Sequence, residues 1–290
     1  MSVSIDETTL TTPLGHALHV FRFALPSTTG PTIVISPATG VLQRFYRKFA
    51  TYFAHQGYTV YTFNYWGIGK HGSEISQLKA NRNNLTSWGQ NDQASVIAHA
   101  KRERPDRPLV LITHSVGGQV FGLNPKNHLC DQVIMVASQS GYWKQYHGGN
   151  RVKIWIFWHV MIPILIPLFG YFPAKKLGLF ENLPKEMTLE WAKWGKRKTY
   201  MRSPKEKDGE YFENVRAPML LWSFPRDPFA TKSGVDWLAD QFSNAEVQRI
   251  HYQPEKGDAQ PGHFGFFKEQ FKTPFWDHTH KWIQNKISHG

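Results

Sequence analysis

Leu109-Val110-Leu111-Ile112 runs directly into Thr113-His114-Ser115-Val116-Gly117, and that junction decides the fold. Four aliphatic residues in a row read as a buried strand, and the glycine-rich residues that follow read as the start of a helix. A serine between small residues at such a strand-to-helix turn is held in strained backbone geometry. Its Oγ is lifted off the sheet, and the next residue's N–H points into the same space. Ser115 is therefore the candidate nucleophile.

An unassisted hydroxyl is a weak nucleophile, so a base must take its proton during attack. At an elbow of this kind the acid follows the serine on a late strand, and the histidine comes later still. Pro218-Met219-Leu220-Leu221-Trp222-Ser223 reads as a buried strand, and the loop Phe224-Pro225-Arg226-Asp227-Pro228 carries the candidate acid, Asp227. Val247-Gln248-Arg249-Ile250-His251-Tyr252 reads as the next strand. The loop after it ends in Pro261-Gly262-His263-Phe264-Gly265, which makes His263 the candidate base. Asp258, on the same loop as His263, is the fallback acid. The oxyanion formed during acyl transfer needs backbone N–H donors. One is expected at Val116. The other is expected in Pro37-Ala38-Thr39-Gly40, at Thr39 or alternatively at Ala38.

Composition sets the frame. A chain of 290 residues can bury one large sheet covered by helices. A single cysteine, Cys130, excludes an internal disulfide framework, and with no basic-then-apolar leader in the first residues a cytoplasmic setting is expected. The formal charge of +12 favours anionic surfaces or nucleic acid in general. Its densest run is Lys193, Lys196, Arg197, Lys198, Arg202, Lys205 and Lys207, interleaved with Trp191, Trp194 and Tyr200. Without a recognised nucleic-acid module this reads as a solvated face. Neither His16-x-x-His19 nor His278-x-His280 has a convincing further ligand set, so no metal and no cofactor are expected.

Short runs rich in Val, Ile, Phe and Tyr at 17–25, 32–36, 58–63, 109–113, 132–138, 218–223 and 247–252 read as strands. Helical patterns occupy 41–56 and 87–103. Alternation of the two predicts an α/β fold with a mostly parallel sheet. The first two runs, with the turn Thr12-Pro13-Leu14-Gly15, suggest an antiparallel hairpin at one edge. Gly67-Ile68-Gly69-Lys70-His71-Gly72 matches a dinucleotide-binding string, but Asn64-Tyr65-Trp66 separates it from its strand and no clean helix opens after it.

Residues 141–212 break the alternation, being rich in aromatics, prolines and basic residues. They are expected to form a helical cap inserted in a core of 1–140 and 213–290. The run from Ile154 to Phe169 approaches the ~20 residues that cross a bilayer. It carries His159, Pro163 and Pro167 and would interrupt a catalytic core, so a lid with an apolar underside fits better.

Several motifs act together: Pro37-Ala38-Thr39-Gly40-Val41 with Gln43-Arg44-Phe45-Tyr46, Gly67-Ile68-Gly69, His114-Ser115-Val116-Gly117-Gly118, Ser140-Gly141-Tyr142-Trp143, Asp227-Pro228-Phe229-Ala230 and Gly262-His263-Phe264-Gly265-Phe266-Phe267. With them the chain resembles the α/β-hydrolase superfamily over nearly its whole length. Within it, the chain resembles a bacterial group of predicted α/β hydrolases related to serine aminopeptidases and monoacylglycerol lipases. The resemblance implies a triad at Ser115, Asp227 and His263, while the group has no settled substrate. Thr113 in place of the first elbow glycine and Asn64-Tyr65-Trp66 in place of Asp-x-Arg are departures. The expectation is a carboxylesterase- or lipase-like serine hydrolase acting on a small acyl compound with an apolar part. Amide, thioester and cofactor-free lyase chemistry stay open. The alternative is a non-catalytic hydrolase-fold protein that docks a membrane surface or partner through its basic aromatic cap.

Overall fold

The computed structural model describes residues 2–203 and 208–288. Among them, eight strands form one sheet in the order β1-β2-β4-β3-β5-β6-β7-β8: β1 (Ser4–Thr11), β2 (Ala17–Ala24), β3 (Thr32–Ser36), β4 (Thr59–Phe63), β5 (Leu109–His114), β6 (Gln132–Val136), β7 (Met219–Ser223) and β8 (Val247–His251). β1 and β2 pair antiparallel, as do β2 and β4, and every other pairing is parallel. All residues of β3 to β7 are buried. That is the expected state of parallel strands covered on both faces, and it is why they read as unbroken aliphatic runs.

The expected edge hairpin needs correcting. The turn at Thr12-Pro13-Leu14-Gly15 joins β1 to β2, whereas the run at 32–36 is not β2's neighbour and lies between β4 and β5. Ser4–Thr11 is polar and largely exposed on both faces, so it has no apolar alternation to reveal it as a strand.

Helices cover both faces of the sheet. α1 (Arg47–His55) buries Phe49, Ala50, Phe53 and Ala54, one face of a 3.6-residue period, with Phe49 edge-on to Trp276 at 5.4 Å. The predicted helix at 87–103 begins at Leu85–Ser87, widens into a π turn at Trp88–Gln93 and continues as α2 (Ala94–Glu103). α3 (Val116–Gln119) starts directly after Ser115. Between β6 and β7 lie α4 (Gly148–Phe169), with a π turn at Phe157–Met161, and α5 (Lys185–Gly195). α6 (Lys232–Ala239) follows β7, and α7 (His278–Ser288) closes the chain.

The segment holding α4 and α5 is tied to the rest of the molecule by polar contacts. Thr86 donates from its N–H and its hydroxyl to the Glu190 carboxylate at 2.9 and 2.7 Å, and Tyr200 Oη donates to Gln119 Oε1 at 3.0 Å. Around α5, Trp194 and Tyr200 are buried while Lys193, Lys196 and Lys198 are exposed. The aromatic and basic residues therefore interleave in sequence but separate in space. Lys205 and Lys207 lie outside the described residues.

Candidate active site

The carboxyl ends of β3, β5 and β7 converge on one cavity of about 340 Å³, bordered by Ala38, Thr39, Ser115 and His263 from the sheet side. Ser115 sits at φ 52° and ψ −114°, a conformation that a non-glycine residue occupies only when its surroundings enforce it. Two close approaches provide that enforcement. A Cβ on Gly117 would lie 2.5 Å from the Ser36 carbonyl oxygen, and one on Gly118 would lie 2.4 Å from Ser138 Oγ. Thr113 is accommodated because its hydroxyl pairs with Ser138 Oγ at 3.1 Å beneath the turn. The elbow thus keeps its sharp geometry with threonine at its first position.

Asp227 and His263, 36 positions apart, meet at this cavity. His263 Nδ1 lies 2.8 and 3.1 Å from the two carboxylate oxygens of Asp227, and Oδ1 also accepts the N–H groups of Phe229 and Ala230 at 2.8 and 2.9 Å. The side chain of Asp227 is fully buried, so its charge is held by these donors instead of water. With Nδ1–H donated to the carboxylate, Nε2 is the ring nitrogen left to exchange a proton. Asp258 is exposed and accepts the Glu255 N–H at 3.1 Å, away from His263.

The two anticipated oxyanion donors are also traceable. Ala38 N–H is engaged by Tyr46 Oη at 2.9 Å, which removes it from the choice between Ala38 and Thr39. Among the described residues, neither Thr39 N–H nor Val116 N–H has an acceptor within the protein.

His114, the last residue of β5 and one to which the sequence assigns no role, links these parts. Its Nε2 lies 2.9 Å from the His263 carbonyl oxygen and its Nδ1 lies 2.9 Å from Tyr46 Oη. A carbonyl can only accept, so Nε2 carries the proton and Nδ1 accepts from the Tyr46 hydroxyl. Burial, with the neighbouring His263 ring adding to it, holds the His114 pKa well below the usual histidine value and keeps the ring neutral. One chain of hydrogen bonds thus runs from the Ala38 loop through Tyr46 and His114 to the backbone of His263. The available signal was a polar ring at the buried end of an otherwise aliphatic strand, which requires partners.

The far wall of the cavity is largely apolar: Ile154, Phe157, Trp158 and Met161 of α4, with Leu179, Phe180 and Trp191, while Asn150 and Lys153 of α4 also border it. Trp158 Nε1 donates to the Gly141 carbonyl at 2.9 Å, fixing one indole against the core. The glycine string at 67–72 serves its own turn. Gly67 and Gly69 have positive φ, and a Cβ on Gly72 would strike the Gly67 carbonyl at 2.0 Å. Asn64, Tyr65 and Trp66 build the loop by accepting from Gln43 N–H, meeting Ser36 Oγ and donating to Asp92 Oδ2 at 2.7, 2.6 and 2.8 Å.

This order of strands, with a serine at a strained turn after the central β5 and an aspartate and histidine after later strands, is that of a known fold. The chain has the α/β-hydrolase fold. A family model described as serine aminopeptidase, S33, matches residues 31–170. Solved structures resemble it over nearly the full length at low identity, which speaks to fold. A thermostable carboxyl esterase from Bacillus coagulans in complex with glycerol superposes with a TM-score of 0.63 at 12% identity, covering 99% of both chains. DcsB in complex with its substrate analogue gives 0.62 at 15% identity, covering 98% of this chain and 100% of that one. The Pyrococcus furiosus esterase Pf2001 gives 0.59 at 13%, covering 98% and 93%. No curated protein matches the chain in sequence.

Proposed function

We propose that the protein is a serine hydrolase that cleaves an ester with an apolar acyl part through an acyl-enzyme. The observation that carries this reading is the strained Ser115 bordering the same cavity as a histidine already oriented by a buried carboxylate. His263 Nε2 takes the Ser115 proton as Oγ bonds to the substrate carbonyl carbon. The carbonyl oxygen, now negative, is received by the N–H groups of Thr39 and Val116. Collapse of the tetrahedral species breaks the bond to the leaving alcohol, which departs with the proton from His263. Water then repeats the sequence on the acyl-enzyme, giving the carboxylic acid and restoring Ser115. Asp227 stabilises the imidazolium at each stage and holds the ring in place.

The cavity wall favours an ester over an amino-terminal peptide. A free α-ammonium group calls for a carboxylate in its subsite, yet among the described residues bordering the cavity the only fully charged side chain is Lys153. The structural neighbours named as esterases support the same preference.

A fluorophosphonate probe is expected to label the wild-type protein covalently and to leave folded Ser115→Ala unlabelled. A p-nitrophenyl ester series of rising chain length measures turnover in parallel. Labelling that survives Ser115→Ala, or folded wild type that neither labels nor hydrolyses any member of the series, overturns the proposal.

A further inference from the structure

α4 packs by a narrow stripe, Ile154, Trp158, Ile162 and Ile166, and its opposite face is apolar as well. Val152, Ile156, Val160, Ile164 and Leu168 form a row of every fourth residue, with exposures rising to 57% at Val152 and 71% at Leu168. Every fourth residue drifts ~40° per step around an ideal α-helix. The wider π turn at Phe157–Met161 sits in the middle of the row and counters that drift. Of the twelve large apolar side chains exposed among the described residues, eight fall between Val152 and Leu179, so the exposure is one patch and not the scatter normal for a surface.

The charge carried by this segment is basic. No aspartate or glutamate occurs between Asp131 and Glu181, while Lys144, Arg151, Lys153, Lys175 and Lys176 fall within that interval, of which Lys175 pairs with Glu181. Arg151 lies over the Trp143 ring at 5.0 Å and Lys176 over the Phe169 ring at 5.0 Å, placing cations beside both ends of the helix. Trp155, 40% exposed and stacked on His159 with ring centroids 4.8 Å apart, adds an amphipathic aromatic of the type that settles at a lipid–water boundary. We propose that the outer face of α4 docks in the plane of an anionic phospholipid surface.

The helix is long and apolar enough to cross a bilayer, but its inner stripe is packed on protein and Trp158 is hydrogen-bonded to Gly141, so it lies on the surface instead of threading it. A second copy of the chain is the other occupant that could cover the face. A twofold contact centred on α4 would set Arg151 of one copy against Lys176 of the other and the reverse, cation against cation, whereas anionic headgroups complement them. Leu179, exposed beside this segment, also borders the cavity, so docking brings the cavity edge to the lipid surface.

The docking depends on this face alone and not on the hydrolytic reading. It is measured by co-sedimentation of the full chain with vesicles of phosphatidylcholine alone and of phosphatidylcholine containing phosphatidylglycerol. Wild type and Ser115→Ala are expected to bind the anionic vesicles equally. Ile164→Glu/Leu168→Glu is expected to lower partitioning at least about tenfold, with melting temperature and hydrolysis of a soluble short-chain ester unchanged. Arg151→Gln and Lys176→Gln are expected to lower it about fivefold each at low salt. The inference fails if anionic vesicles leave wild type in solution. It fails equally if the glutamate pair binds as wild type does, or if light scattering shows a dimer that the glutamate pair separates.

Discussion

The two walls of the cavity are built on opposite rules. The sheet-side wall is braced by polar groups with assigned partners: Asp227 receives three donors, His114 is bonded through both ring nitrogens, and even the Ala38 N–H is taken up by Tyr46. The wall facing it from α4 is mainly hydrocarbon and indole, with Asn150 and Lys153 among its lining, and is held by one stripe of side chains and a few anchoring bonds. The difference assigns the tasks. Directional bonds to a rigid sheet fix reacting atoms within tenths of an ångström, whereas apolar contact rewards area and tolerates changes of shape. Substitutions in the first wall should act on kcat, and substitutions in the second on KM.

The sharpest break of that division is Asp227→Asn. The asparagine keeps the volume but cannot stabilise an imidazolium at His263, and one of its two terminal groups is a donor facing a donor. A loss of ~10³–10⁴ in kcat is expected with KM nearly unchanged, by analogy with the same change in other serine triads. Steady-state kinetics on a soluble p-nitrophenyl ester decide it, and a loss below tenfold would remove Asp227 from the proposed machinery.

The same contrast explains which parts of the fold are legible in the sequence. Strands β3, β5, β6 and β7 were legible because burial on both faces leaves an unbroken aliphatic run, and the elbow was legible because Gly117 and Gly118 are forced by close approach to Ser36 and Ser138. β1 was not, since Ser4–Thr11 is held by backbone pairing to β2 and its composition carries no imprint of a core. The π turns in the helix before α2 and in α4 were equally hidden, because they adjust register within helices whose periodicity looks ordinary. His114 was visible as a residue but not as a linker. Its partners, Tyr46 and the backbone of His263, come from 68 and 149 positions away, and no local pattern announces such a pairing.

His114 offers the next test, since it belongs to the rigid wall without touching the cavity. We assign it as a positioning residue. His114→Gln leaves the Tyr46 hydroxyl and the His263 carbonyl without well-placed partners, which should cost ~1–3 kcal/mol of stability at neutral pH. The pH dependence gives a readout that lost packing alone would not. Because the folded-state pKa lies well below the ordinary value of 6.5, the unfolded chain binds a proton in the intervening window that the folded chain does not. This contribution to stability is complete above pH 6.5 and declines as pH falls through the window, by up to ~1.4 kcal/mol per pH unit. The glutamine variant lacks it, so the gap between wild type and variant should narrow on acidification. Urea unfolding at several pH values measures the gap, and one that stays constant or widens contradicts a neutral, buried His114.

The smallest expected effect lies across the cavity, and it sharpens the comparison from the other side. Met161 is on α4, borders the cavity and has no polar group to misplace. Met161→Ala should enlarge the cavity and remove apolar surface that contacts substrate equally in the ground and transition states, which is the condition for a change in KM alone. For a medium-chain ester a rise in KM of ~3–10-fold is expected, corresponding to about one or two methylene groups of lost contact. For an acetate ester, whose acyl group is too short to need that wall, little change is expected. Measured across a chain-length series, the KM effect should therefore grow with the acyl chain while kcat stays level. A fall in kcat of equal size at every length would mean that α4 helps to set the reacting geometry, and the division of tasks between the two walls would have to be given up.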